Sequence, residues 1–275
     1  MTEVNNRFDH VKDHYAEVAA ETLSFVSCCE TCDTAPASWT KSEAEALYGA
    51  DILADIPAAA LAASRGCGDP VARALLKPGE TVLDLGSGGG IDAIIAARLV
   101  GPEGHVFGLD MTPEMVDLAR QNARDAGLDN LEFLEGNIEN IPLPDASLDV
   151  VISNCVINFC ENKRRVMEEA FRVLAPGGRF VVSDIVRLGD VPAESYESLC
   201  KLVGCTNGMS SIDEYRALLF EVGFADSIVD PKTIYTMEVL HEKSTRKDRA
   251  HLFEDIKNTA VDSVSGSAIV FAFKK

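Results

Sequence analysis

Eight cysteines are distributed over 275 residues, at positions 28, 29, 32, 67, 155, 160, 200 and 205. Three of them sit where sulfur could do chemistry. Cys155 closes an apolar run from Leu148 to Ile152, at the point where a buried strand should end. Cys67 lies in Ser64-Arg65-Gly66-Cys67-Gly68-Asp69-Pro70, a glycine-flanked turn of the kind that exposes its side chain. Cys205 lies in Val203-Gly204-Cys205-Thr206-Asn207-Gly208, a second glycine-rich turn. A cysteine in such a place is a nucleophile, a soft ligand or a small hydrophobe, and Cys155 read alone leaves the three open. Three thiols on three loops at one sheet edge suggest a trithiolate cup. The other cysteines read more plainly: Cys160 packs on the following helix and Cys200 on a helix face. Cys28, Cys29 and Cys32 lack the second Cys-x-x-Cys or histidine pair that would complete a zinc site, and the five histidines form no usable spacing.

A second constellation begins at Asp84-Leu85-Gly86-Ser87-Gly88-Gly89-Gly90. Glycines there let the backbone approach a ligand closely. A dinucleotide fingerprint would also need glycine at 91, where this chain has Ile91, so that reading weakens. Asp110 follows 26 residues after Asp84 and ends the next apolar run, where a carboxylate can accept from both hydroxyls of a ribose.

The elements that would position these residues alternate. TVLDL (81–85), HVFGLD (105–110), LEFLEG (131–136), LDVVIS (148–153) and RFVVSDI (179–185) read as strands. IDAIIAARLV (91–100), residues 112–127 with Thr112 as N-cap and Pro113 at the first position, and residues 163–174 read as helices. The expected fold is α/β, a doubly wound, mostly parallel seven-stranded sheet with helices on both faces. Ligands of such sheets sit beyond the carboxyl ends of the strands. Residues 8–27 and a stretch from about 42 read as helical, giving an arm over 1–60, a core over 61–185 and a C-terminal extension over 186–275. In that extension 211–224 is a capped helix, and SIVDPKTIYTMEV and SGSAIVFAFKK are candidate strands.

A net charge of −19 argues against nucleic acid as a partner. No stretch supplies the roughly 18–20 apolar residues of a membrane span. The polar opening MTEVNNRFDHVKDHY is unlike a signal peptide, which makes the cytoplasm the expected location.

The glycine turn, Asp110 and the Gly136-Asn137-Ile138-Glu139 stretch resemble the class I S-adenosylmethionine-dependent methyltransferases over about residues 75–185. By that resemblance Asp84, Gly86, Ser87 and Gly88 line the amino-acid part of S-adenosyl-L-methionine. Asp110 would hold its ribose, Met111 pack on its adenine, Asn137 and Ile138 meet the adenine edge, and Asn154 complete the cofactor site. Oxygen and nitrogen methyltransferases often place an acid or histidine at the end of the fourth strand. Here Asn154-Cys155 stands without one. Together with GCG at 66–68, SNCVIN at 153–158 and the glycine-flanked Cys205, the chain resembles the arsenite methyltransferases along most of its length. That resemblance implies Cys67, Cys155 and Cys205 as ligands of trivalent arsenic, with Cys28 or Cys29 as accessory thiol. It implies arsenite or its thiol conjugates as substrate, thioredoxin or glutathione as reductant, and a monomer. A quinone- or sterol-type carbon methyltransferase would leave Cys67 and Cys205 unexplained, and a non-catalytic thiol-based metalloid binder would leave the cofactor residues unexplained.

Overall fold

The alternating apolar runs fold into strands β1 (Thr81–Leu85), β2 (His105–Asp110), β3 (Leu131–Glu135), β4 (Leu148–Asn154), β5 (Leu174–Arg187), β6 (Ala225–Ile234) and β7 (Ser265–Phe273). The structure is a computed structural model, and it describes residues 4–28, 41–205, 208–245 and 249–275. Cys29, Cys32 and Trp39 lie outside the described residues, as does the side chain of Cys28. The strands form one seven-stranded sheet in the order β3-β2-β1-β4-β5-β7-β6. β3 through β5 run parallel, and β7 is antiparallel to both β5 and β6. Chain order reverses between β1 and β4, which opens a crevice beyond their carboxyl ends.

Twelve helices stand among the described residues. Before the sheet come α1 (Val4–Cys28), α2 (Lys41–Tyr48), α3 (Ala50–Leu53), α4 (Ala58–Ala63) and α5 (Pro70–Ala74). Within it come α6 (Ile91–Val100), α7 (Pro113–Asp125) and α8 (Lys163–Val173). The extension adds α9 (Ala193–Val203), α10 (Ile212–Val222), α11 (Met237–Thr245) and α12 (Ala250–Ile256). α8 shows why such segments are helical: Val166, Met167, Ala170 and Val173 recur at helical spacing and are buried, and the Asn162 side chain accepts from Arg165 N. α10 opens on a full capping box between Ser211 and Glu214. Two apolar cores form, one on each face of the sheet, with Leu83, Val151 and Phe180 facing one and Val82, Ile152 and Val181 the other.

Two local expectations differ from the outcome. Thr112 occupies the N-cap of α7, but its hydroxyl makes no capping bond; Asp110 Oδ1 instead accepts from Thr112 N. The strand expected over 179–185 begins earlier, at Leu174, so Pro176-Gly177-Gly178 lies within β5. Leu174 pairs with Leu148 and Arg179 with Val150, so the intervening residues bulge outward. Gly177 N and Gly178 O bond to the Lys274 backbone, so the chain's C-terminal strand accounts for this extension.

Candidate active site

The glycine turn after β1 is fastened to β2 by its backbone. Gly86 N and Ser87 N both donate to Leu109 O, at 2.7 and 3.0 Å. Gly88 N donates to Asp110 Oδ2 at 2.9 Å. Gly86 has φ +67°, and a Cβ there would lie 2.5 Å from Val156, so the turn can pass close to the end of β4 only with glycine at 86. A cleft opens above it. Asp84, Gly86, Ser87, Gly88, Asp110 and Met111 line one wall, and Asn137, Ile138, Asn154 and Cys155 contribute to the rest. All nine residues expected to meet a cofactor therefore border one space, and Cys155 borders the same space. Tyr15 of α1 and Arg65 also line it, and neither stood out in the sequence. Burial pushes the Tyr15 phenol up to about 12.

The floor of the cleft is acidic and short of partners. Asp84 Oδ2, Asp92 Oδ1 and Ser87 Oγ are buried and have no hydrogen-bond partner. Burial raises the carboxyl of Asp84 well above its ordinary range, with Asp92 and Asp110 adding to it. Burial likewise takes Asp92 up to about 7, against the lowering effect of the Asn154 hydrogen bond. A buried carboxylate oxygen without a partner costs free energy until a cation or donor meets it. A ligand carrying an ammonium group and hydroxyls fits this floor. Asp92, just inside α6, was passed over in the sequence because an acid in a helix's first turn ordinarily serves the helix dipole.

Asn154 links this floor to the cysteines. Its Oδ1 accepts from Cys67 N at 2.9 Å, and its Nδ2 donates to Gly68 O at 2.7 Å and to Asp92 Oδ2 at 2.9 Å. One amide thus pins the Gly66-Cys67-Gly68 turn to the end of β4 and to α6. The turn is too tight for larger residues: a Cβ on Gly68 would lie 2.0 Å from Ser183 Oγ. Cys155 follows Asn154 with φ +59°, a left-handed conformation rare for a side-chain-bearing residue, and its N–H donates to Ser183 O at 2.8 Å. Strain of this kind collects at functional sites.

Cys67 and Cys155 meet. Their Cα atoms are 5.9 Å apart and their sulfurs are joined as a disulfide across 88 residues of sequence. Cys205 comes from the far side, in an apolar cluster with Ile185, Leu199, Met209 and Tyr235, against which Cys67 and Cys155 pack. Its exposure corrects a sequence expectation. The glycine-rich turn does not present Cys205 to solvent: it is 1% exposed, because α9, α11 and α12 cover it. Burial raises its thiol well above the ordinary value. Cys67 is half-buried rather than exposed. No group of three or more His, Cys, Asp or Glu side chains is poised to hold a metal ion among the described residues. Two members of the expected cup are bonded to each other. Cys160 and Cys200 are buried free thiols, Cys160 in the main core and Cys200 on the inner face of α9. The acid missing beside Asn154-Cys155 in sequence comes from elsewhere in space, as Asp92 from α6, which accepts from Asn154.

A methyltransferase-domain family model matches residues 76–237. An arsenite methyltransferase of Halobacterium salinarum is 48% identical over 167 residues, which are 61% of this chain and 43% of that protein. An arsenite methyltransferase of Aquipseudomonas alcaligenes is 34% identical over 246 residues, 86% of this chain and 67% of that protein. The crystal structure of an arsenic(III) S-adenosylmethionine methyltransferase from Chlamydomonas reinhardtii superposes with a TM-score of 0.64 at 33% identity, over 82% of this chain and 72% of that one. The chain spans less than half the length of several curated relatives it matches.

Proposed function

Since the chain belongs to the arsenite methyltransferase family and has the class I methyltransferase fold, we propose that it methylates trivalent arsenic with S-adenosyl-L-methionine as methyl donor. The observation that carries this reading is the meeting of Cys67 and Cys155 at the end of β4, with one of the two lining the cofactor cleft. Asp84 and Asp92 would face the cofactor's ammonium group, Asp110 its ribose, and Met111, Asn137 and Ile138 its adenine. When bound, the cofactor supplies an electrophilic sulfonium methyl. The division into an arm over 1–60, a cofactor-binding core over 61–185 and a substrate-covering extension over 186–275 belongs to this reading.

The substrate is arsenite or its conjugate with a small thiol. Each ligand exchange at arsenic forms one As–S bond to a cysteine and releases one water or one free thiol. Trivalent arsenic is soft and prefers thiolate sulfur, by the logic that pairs soft metals with cysteine. Bound to Cys67, Cys155 and Cys205 it would be pyramidal and keep one lone pair, the nucleophile that would take the methyl and release the demethylated cofactor. The methylated arsenic is then formally pentavalent, and two electrons from thioredoxin or glutathione would return it to the trivalent state. No proton has to leave that nucleophile, so the protein's contribution is positioning, with reacting atoms brought to about 3–3.5 Å. Cys67 and Cys155 must first be thiols. Opening their disulfide takes two electrons and two protons, which thioredoxin or glutathione would supply by thiol–disulfide exchange. Cys28 or Cys29 serves as the accessory thiol, and the enzyme acts as a monomer.

Replacing Cys67, Cys155 and Cys205 singly with serine tests the reading. Methylated arsenic formed from arsenite, cofactor and a dithiol should fall to background in each variant. Full activity in any one of them would overturn the three-sulfur site.

A further inference from the structure

The amino-acid end of S-adenosyl-L-methionine carries an ammonium group and a carboxylate, and the floor of the cleft suits only the first. Asp84, Asp92 and Asp110 all border the space, in a chain of net charge −19, so a ligand's carboxylate meets like charge there. The first turn of α6, where an anion could otherwise be held, is occupied in the same way: Asp84 accepts from Ala93 N, and Asp92 stands within the turn. Among the described residues that line the cleft, Arg65 is the only cation.

Fixed backbone delivers Arg65 to that wall. The turn after it is pressed on the end of β4: a Cβ on Gly66 would lie 2.5 Å from Asn154 Nδ2, and Cys67 N donates to Asn154 Oδ1 at 2.9 Å. Arg65 Nη1 donates to Ala62 O at 2.9 Å and to Ser64 O at 2.8 Å, carbonyls at the C-terminal end of α4. A cation is favoured at a helix C-terminus, so capping accounts for that nitrogen and anchors the group. It does not account for a guanidinium on the wall of an otherwise acidic cleft. Burial lowers the pKa of this half-buried group, against the raising effect of Tyr15 and Glu21 of α1, so the cation gains from an anion brought by a ligand.

Resting on the reading of this cleft as the cofactor site, we propose that Arg65 binds the carboxylate of the cofactor's methionine part, and so makes the cleft choose S-adenosyl-L-methionine over its decarboxylated form. A guanidinium presents its donors as a planar fork that can meet both oxygens of a carboxylate, which an ammonium group cannot match. The two charges of one amino acid are then sorted by the protein, the ammonium to the floor of Asp84 and Asp92 and the carboxylate to Arg65. Arg65 stands two residues before Cys67, so the segment that carries a thiol also reads the cofactor.

The test is calorimetric binding to the full chain of two probes, S-adenosyl-L-methionine and decarboxylated S-adenosylmethionine, which keeps the ammonium, sulfonium, ribose and adenine. Arg65→Gln should weaken the first about thirtyfold, the size expected for losing a hydrogen-bonded charge pair, and leave the second within about twofold. Arg65→Lys, which keeps the charge and loses the fork, should weaken the first about fivefold. It also serves if Arg65→Gln does not fold, as judged by its melting curve. Undiminished binding of S-adenosyl-L-methionine in the folded variants overturns the role. An equal loss for both probes overturns it too, and would leave Arg65 a cap of α4 and nothing more. Failure of the unsubstituted protein to bind either probe sinks the cofactor reading itself, whereas binding indifferent to Arg65 sinks only this inference.

Discussion

The two halves of the cleft are built in opposite ways. The cofactor half comes from consecutive strand ends, β1, β2 and β3, and the short turns that follow them. Its groups are fixed by hydrogen bonds from the backbone of the turn, such as Gly88 N to Asp110 Oδ2, and Asp84 Oδ2 and Ser87 Oγ there have no partner. The thiol half is gathered from a loop before the sheet, the end of β4 and a turn after α9. Side-chain amides hold it together, and its state depends on redox: Cys67 and Cys155 are joined while Cys205 is a buried free thiol. Under the proposed function, one half would be ready for its ligand and the other would have to be opened. Specificity for substrate would then reside in the half that chemistry can switch.

The largest effect should come from that switch. Protein with the Cys67–Cys155 bond intact should turn over arsenite at background, a drop on the order of a thousandfold, the scale on which lost positioning costs rate. A dithiol should restore it. Product formation measured alongside a count of free thiols checks this, and full turnover with the disulfide still present would show that the two halves do not differ as described. Cofactor affinity, by contrast, should be nearly the same in both redox states.

A substitution confined to the cofactor half should do the reverse. Asp110→Ala removes a carboxylate that holds Gly88 N and Thr112 N and would hold the ribose. Hydrogen bonds to a charged group contribute about 1.5–3 kcal/mol each, so cofactor binding should weaken by about a hundredfold in calorimetry. Arsenite binding to the reduced thiols should stay within about twofold. Gly86→Ala blurs the boundary. Its Cβ would press on Val156, the neighbour of Cys155, from a left-handed backbone that costs roughly 1–2 kcal/mol for any side chain. Both cofactor and arsenite affinity should fall, each by about tenfold. Loss of cofactor binding alone would mean that the thiol half is insulated from the turn.

The same contrast explains what could be read in the sequence. Strand ends, glycine turn and Asp110 were legible because each is specified by neighbours within a few residues: apolar runs, then glycines, then an acid. β1, β2 and α6 have the residues expected of them. The ties that assemble the thiol half were not legible. Asp92, Asn158, Lys163 and Asp184 belong to separate elements, and only packing of α6, α8 and β5 around the end of β4 makes them partners. Cys205 was misjudged for the same reason, since a glycine-rich turn predicts exposure only where no later helix covers it. The bulge in β5 depends on a strand some ninety residues further along the chain.

The smallest effect separates the halves by pH. Asp92 is raised to about 7 chiefly by burial, against an ordinary value of 3.8, and the groups facing it are Asp84 from β1, Asp69 before α5, Tyr48 from α2 and Asn154 from β4. A raised carboxyl means the free fold prefers the neutral acid. Its stability therefore declines as pH climbs from 3.8 through about 7, with the cost constant above that. A cationic ligand reverses the preference, because it binds the carboxylate and expels the proton. Cofactor affinity should thus rise from pH 6 to pH 8, by up to about tenfold if only the ionised form binds, and then level off. Thermal protection by the cofactor should follow the same course. Asp92→Asn should flatten the dependence while leaving that of arsenite binding intact. A slope that survives the substitution would move the titrating group to Asp84, whose carboxyl burial also raises, and leave Asp92 as the anchor of Asn154 alone.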